Sequence, residues 1–400
     1  MNVMNVNAKP AGGLAIPFDH HRLDRLMDEA GIDVVLATSK HNAQYLTGGH
    51  RANFFDVMDA TGVTRYLPVL VYPKGAPEKA AYIGHRLESF QHQAHPLWTP
   101  ETNMTSNGSV DAMQKAVDHI KKAGLKPKTI ATEFGFLPYD AALALRAAFP
   151  DAEWVDALYV LERQRLVKSA KELKMLRYAS EAVIDAMQAV IAKTGPGKTK
   201  AEVTEELRRQ EVLRGLNFEY CLITAGTSLN RAPSDQVWGE GDIMSIDSGG
   251  NYHGYIGDVC RMAIQGKPDA ELEDLLAEIE SIQRAAFKAV KPGAMGRALY
   301  EAAMPLVAKS KHHNNLDYVA HGMGLVSHEG PRLTDSGPVP YPADDAAKPL
   351  EPGMVISVET TLKHPARGFI KLEDTVVVTE GGHEIYGEGA RGWNRAGTKA

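Results

Sequence analysis

The stretch "DIMSIDSGGNYHGYIGDVCRMAI", residues 242–264, holds two β-type runs around a glycine-rich turn, with Asp247 in the first and Asp258 eleven positions on in the second. A hairpin sets two such acids side by side. Bare carboxylates within a few ångström repel, and one protonates unless a cation sits between them. Turn aspartates on a polar-faced hairpin are the plainer reading, so the rest of the chain has to decide. In "VISVETTL", residues 355–362, Ser357, Glu359 and Thr361 alternate with Ile356 and Val358, which places the acid inside a strand. "FIKLEDTVVV", residues 369–378, repeats the device with Glu373, fourteen positions after Glu359. Acids among valines and isoleucines are costly if buried and unpaired, although an edge strand would let them face water. "VAHGMGLVSHEGPRL", residues 319–333, adds His321 and His328 among glycines and apolar residues. Four carboxylates and an imidazole make a mainly oxygen donor set that suits manganese, iron, cobalt or zinc.

The surrounding chain is that of an ordinary globular protein. Its 400 residues are 44% hydrophobic and 24% charged, with a net charge of −6, and exceed one average domain. No basic block supplies the phosphate contacts that nucleic-acid binding needs, so neither nucleic acid nor an anionic membrane is expected as a partner. The two cysteines, Cys221 and Cys260, have neither metal-type nor redox-type spacing. A reducing compartment fits them. Without a recognisable signal segment or an apolar run of membrane-spanning length, the expectation is a cytoplasmic protein.

Amphipathic helices alternate with short β-type runs in the front half. "DHHRLDRLMDEAGI" (19–32) leads into "DVVLATS", "VDAMQKAVDHIKKAGL" into "KTIATEFGF", and "YDAALALRAAFP" into "AEWVDA", which predicts a layered α/β domain over 1–165. Residues 161–197 read as one long helix ending at Gly195-Pro196-Gly197. Beyond it, over 166–400, helices alternate with antiparallel strand pairs, an α+β pattern. "TDSGPVPYPADDAAKPLEPG" reads as an exposed loop and "YGEGARGWNRAGTKA" as a loosely held tail.

The back half resembles the family of methionine aminopeptidase, aminopeptidase P, prolidase and creatinase, the pita-bread fold. The contexts that carry the resemblance are "GDIMSIDSGG", "HGMGLVSHEGP", "EPGMVISVE" and "KLEDTVVV". "GIDVVLATSKHNAQYLTG" and "LERQRLVKSAKELKMLRYA" look like the N-terminal domain and interdomain helix of the prolidase and creatinase members. The resemblance implies that Asp247, Asp258, His321, Glu359 and Glu373 hold two divalent ions, manganese first, with cobalt, iron or zinc as the others. It implies that His328 steadies the scissile carbonyl, that Glu359 moves the proton of the attacking water, and that the chain is a homodimer. The reaction would then be hydrolysis of an amide C–N bond, most simply in an Xaa-Pro dipeptide.

Two positions depart from the peptidase pattern. Asn230 stands in "AGTSLNRAPSDQ" where peptidases of the family usually carry a histidine, and Lys371 stands where aminopeptidase P and prolidase tend to have arginine. Asparagine cannot shuttle a proton at neutral pH, and lysine keeps the charge without the fork. Both leave room for a small-molecule hydrolase or lyase, like creatinase, ectoine hydrolase or the lyase acting on dimethylsulfoniopropionate. A non-catalytic binding protein on the same fold is a further alternative, against which five intact ligand positions argue. Arg332, four residues after His328, is a candidate anion contact. His50, Arg51 and Arg65 in "GGHRANFFDVMDATGVTRYLP" are candidates for a substrate carboxylate, as they would be if a partner subunit completes the site, or else solvated loop charges. Glu133, Phe134, Tyr252 and Tyr255 read as packed rather than site-lining.

Overall fold

The computed structural model describes residues 14–52, 61–336 and 341–397. It divides into two compact units, Met1–Arg165 and Leu166–Ala400. In the first, six strands run in the order β4-β3-β2-β1-β5-β6: β1 Val34–Ala37, β2 Val69–Pro73, β3 Ala81–His85, β4 Glu101–Ser106, β5 Thr129–Thr132 and β6 Glu153–Asp156. The helices of this unit are α1 His20–Glu29, α2 Lys40–Leu46, α3 Ser89–Ala94, α4 Ser109–Lys122, α5 Tyr139–Ala148 and α6 Leu158–Arg165. Strand alternation sorts the core into two layers. Val34 and Leu36 of β1 pack with Ala112, Ala116 and Leu145 of α4 and α5, while Val35 and Ala37 pack with Leu23 and Met27 of α1. Burial on both faces explains why "VVLA" is apolar throughout.

The expected long helix over 161–197 is two helices, because α6 stops at Arg165 and α7, Ala170–Lys193, begins afresh. The break is written in "SAKE". Ser169 accepts from the Glu172 backbone N–H, and Glu172 accepts in return from that of Ser169, so the capping box starts a helix where apolar spacing suggested continuation. The second unit continues with β7 Lys198–Thr199, α8 Lys200–Leu213, β8 Asn217–Ala225, β9 Val237–Trp238, β10 Ile243–Tyr252 and β11 Tyr255–Ile264. Then come α9 Ala270–Ala289, α10 Ala298–Lys309, β12 Leu316–Gly322, β13 Val355–His364, β14 Gly368–Thr379, β15 Gly382–Tyr386 and β16 Asn394–Arg395. Its main sheet runs β12-β13-β14-β11-β10-β8, with β15 on β14 and β16 on β11.

Two apolar layers back this sheet. Ile356 and Val358 of β13 and Ile370 and Leu372 of β14 pack on Leu276, Ile279 and Phe287 of α9, while Met244 and Ile246 of β10 pack on Val183, Met187 and Val190 of α7. The tail is pinned rather than loose. Asn394 and Arg395 pair in parallel with β11, Trp393 donates from Nε1 to the Leu272 carbonyl at 3.1 Å, and Arg391 is buried against Asp374. Composition hid this, because glycines and charges look solvated until a buried acid claims the arginine. No helix among the described residues is long and apolar enough to cross a membrane.

Candidate metal centre

Register alone gathers the acids into a row. Asp247 pairs with Cys260, Cys260 with Glu373, Glu373 with Glu359, and Glu359 with Val319, so one line crosses β10, β11, β14, β13 and β12. Asp258 lies two residues from Cys260 and His321 two from Val319, which keeps both on the same face. These strands are interior to the sheet, apart from β12, so the acids are not edge residues facing water. Asp247, Asp258 and Glu373 are 2–4% exposed. Asp374, adjacent to Glu373, points the other way into Arg261 and Arg391, and Arg261 donates to it at 2.6 Å. That charge-assisted pairing holds β14 from behind.

His328 reaches the site because Gly322 lets its segment come close. A Cβ on Gly322 would lie 2.2 Å from the Gly330 carbonyl carbon, and the Gly322 N–H donates to the Pro331 carbonyl at 3.0 Å. The His321 and His328 rings stack with centroids 3.7 Å apart and planes 15° apart. His321 places Nδ1 3.2 Å from the Gly322 carbonyl, so the proton belongs on Nδ1 and Nε2 faces Glu359 and Glu373 at 3.9 and 3.8 Å. Burial and the neighbouring His321 push His328 down to about 4, which leaves its imidazole neutral at pH 7.

Asp258, His321 and Glu373 each offer a ligand atom within 4.8 Å of the other two. Asp258 Oδ1 is buried with no hydrogen-bond partner. An orphaned acid oxygen beside an imidazole nitrogen and a second carboxylate fits a divalent cation. Electrostatics agree with that fit: burial, then Glu373 and Asp247, hold Asp258 well above the usual carboxylate range. His321 is driven up to about 9 because the carboxylates of Glu373, Glu359 and Asp258 around it overcome its burial. Protons thus stand where a cation would. Asp247 and Glu359 meet a different charge. Lys371 Nζ lies 2.7 Å from Asp247 Oδ2, 2.5 Å from Glu359 Oε2 and 2.8 Å from Glu373 Oε2, and the Arg231 guanidinium also grips Asp247. Burial opposes the ammonium charge, but the three carboxylates hold Lys371 well above its ordinary value.

Residues 174–380 match the model of metallopeptidase family M24, and residues 20–167 match the creatinase/prolidase N-terminal domain. The chain belongs to metallopeptidase family M24. It is a peptidase-like, metal-dependent hydrolase with the α+β pita-bread fold. An Xaa-Pro dipeptidase of Pyrococcus horikoshii is 25% identical over 368 residues, covering 90% of this chain and 94% of that one. An uncharacterized peptidase of Bacillus subtilis, YqhT, is 26% identical over 368 residues, covering 90% and 95%. The solved Xaa-Pro dipeptidase from Bacillus anthracis superposes with a TM-score of 0.77 at 24% identity, covering 94% and 98%.

Other candidates of this M24 chain fall in different places. Asn230 is exposed in a turn, its Oδ1 accepting from the Ala232 N–H at 3.1 Å, and its neighbour Arg231 is the residue of that loop that enters the site. Spacing alone could not separate the two. Arg332 is half-buried, with its guanidinium 4.3 Å from the Tyr341 ring centroid and its backbone N–H donating to Asp345. In the first unit, His50 Nε2 lies 3.1 Å from Glu88, the Arg51 carbonyl accepts from Gln91, and Arg65 is exposed; residues 53–60 of the same stretch lie outside the described residues. Glu133 is a packed acid, accepting from the Thr38 and Ser39 N–H groups at the start of α2. Tyr252 leans on Tyr178 at 4.4 Å, Tyr255 reaches Glu172 at 2.9 Å, and Phe134 is exposed. Tyr220 was not foreseen. Its buried phenol is close enough to feel the charge of Asp258, and its ring fills the space a Cβ on Gly249 would occupy; glycine at 249 was the available signal.

Proposed function

We propose that this chain hydrolyses the amide bond of Xaa-Pro dipeptides or closely related short peptides, with residues 166–400 as the catalytic domain behind an N-terminal domain of 1–165. The observation that carries the reading is the convergence of Asp258, His321 and Glu373 on one buried point, with Glu359 beside them. Asp258, His321 and Glu373 would hold the divalent cation, manganese being the first to try. When bound, such a cation acidifies a water molecule and polarises a carbonyl. Glu359 accepts the proton of the attacking water and returns it to the leaving nitrogen. Its side chain is 13% exposed against 2–3% for Asp247 and Glu373, so it has the access that proton transfer requires. The neutral imidazole of His328 donates to the carbonyl oxygen as negative charge develops there. Arg332, beside His328 in the chain, suits a substrate carboxylate. We place the protein in the cytoplasm as a homodimer, the arrangement in which His50, Arg51 and Arg65 of one subunit would approach the site of the other.

The test is proline release from a panel of Xaa-Pro dipeptides after loading with manganese or cobalt. Turnover that disappears in Asp258→Ala supports the reading; no cleavage by a metal-loaded, folded protein removes it. A second reading keeps the hydrolytic centre but exchanges the peptide for a small nitrogenous or sulfonium metabolite. What favours it is the loop at 225–236, where no histidine is available and Arg231 enters the site. Activity on such compounds with none on peptides would select it.

A further inference from the structure

The expected ligand set is split into a part that lacks a cation and a part that already has one. Around Asp258 no lysine or arginine pairs with the carboxylate among the described residues, only the His321 imidazole carries opposing charge, and Oδ1 accepts no hydrogen bond. Around Asp247 it supplies two, since Lys371 and Arg231 both contact Oδ2. Lys371 Nζ donates to Asp247 Oδ2 at 2.7 Å, and the Glu359 and Glu373 carboxylates stand 2.5 and 2.8 Å from the same ammonium, so three acids converge on one charge. The Lys371 side chain is 4% exposed, so its charge is turned to these acids rather than to solvent. A compact ammonium suits three acids that converge on one point better than arginine's planar fork does.

We propose that Lys371 takes the place of a second metal ion, so that each chain binds one divalent cation, at Asp258, His321 and Glu373. Charge supports the count. Four carboxylates face two fixed cations, Lys371 and Arg231, and His321 gives up its extra proton when it ligates, which leaves two negative charges for one divalent ion to neutralise. A second divalent ion would leave an excess of two positive charges in a buried site, where like charges are poorly screened. It would also have to displace the ammonium from Asp247 and Glu373. Asp247 becomes a positioning residue: it anchors Lys371 and Arg231 rather than a metal.

This inference rests on the metallohydrolase reading, and its test separates the two. The full-length protein, freed of metal with a chelator, is titrated with manganese alone, and bound ion is counted by elemental analysis after desalting. Electron paramagnetic resonance distinguishes an isolated ion from a coupled pair. Wild type is expected to bind one ion per chain with a mononuclear spectrum, Lys371→Met two, and Asp247→Asn one. Two ions in the wild type overturn the proposal, as does a single ion in Lys371→Met or none in Asp247→Asn. Should Lys371→Met fail to fold, the wild-type count decides alone. One bound ion without peptide cleavage removes the peptidase reading and leaves the role of Lys371 standing. Two ions with cleavage do the reverse, and no ion with any of manganese, cobalt, iron or zinc removes both.

Discussion

At the scale of single residues, the side chains around Asp258 differ in what their removal should cost. Glu359→Gln keeps the shape and loses the proton acceptor, so kcat is expected to fall by roughly 10²–10⁴ with metal content unchanged. His328→Ala removes a neutral donor rather than a ligand, and a drop in kcat of about 10²–10³ with manganese retained is the outcome to check by steady-state kinetics and elemental analysis. Loss of metal in His328→Ala would assign that imidazole to the wrong role. The candidate ligands were legible in the sequence because acids inside valine-rich runs are conspicuous. Arg231 and Tyr220 were not, since an arginine in a loop and a tyrosine in a strand look alike whether they face water or Asp258. Lys371 was visible as an oddity, yet only coordinates reveal three acids around one ammonium.

Elements come next, and the strand pairs at 243–264 and 355–379 were readable from alternation and glycine turns. The division of 161–197 was not, because apolar periodicity continues across the four residues between α6 and α7 while a serine and a glutamate restart the helix. Ser169→Ala should therefore lower stability by about 1 kcal/mol, seen as a shifted urea midpoint with an unchanged slope. Two glycines give a sharper contrast. A Cβ at Gly257 would lie 2.5 Å from the backbone of Ala179 and Ser180 in α7, which cannot step aside. Gly257→Ala is expected to destabilise on the order of 1–3 kcal/mol by denaturation. At Gly249 the obstruction is the Tyr220 ring, 2.4 Å away, and a side chain can turn. Gly249→Ala should cost less stability but more activity, as the ring is pushed away from its place beside Asp258.

For the whole molecule, stability depends on protons held far from solvent. Glu211 is fully buried in α8, its Oε1 2.9 Å from Ser248 Oγ, and Ser248 donates its own hydrogen to the Tyr220 carbonyl at 2.6 Å. One hydroxyl hydrogen serves one bond, so the carboxyl keeps a proton for the other. Burial pushes Glu211 up to about 8. A raised carboxyl contributes fully below its unfolded value near 4.5 and loses that contribution as pH rises toward about 8. The wild type should therefore lose a few kcal/mol relative to Glu211→Gln between pH 5 and pH 8, at about 1.4 kcal/mol per unit at most. Parallel stability curves for the two proteins would contradict this. Ion binding acts on the same scale: manganese at about one hundred times its dissociation constant should add roughly 2.7 kcal/mol, and Asp258→Asn should abolish the rise in Tm.

The anchoring of Asp374 by Arg391 also sets an order of assembly. Asp247, Asp258, His321, Glu359 and Glu373 all leave the ribosome before Arg391 does. Until that arginine arrives, Asp374 has, among the described residues, Arg261 alone behind the strand that carries Glu373. The acids of the centre can be paired in register and still stand on an unfinished foundation. During synthesis, then, the site gains its final rigidity only after every residue proposed for the chemistry has been made, and a chain halted before residue 391 would bear all of its ligands without the brace that steadies them.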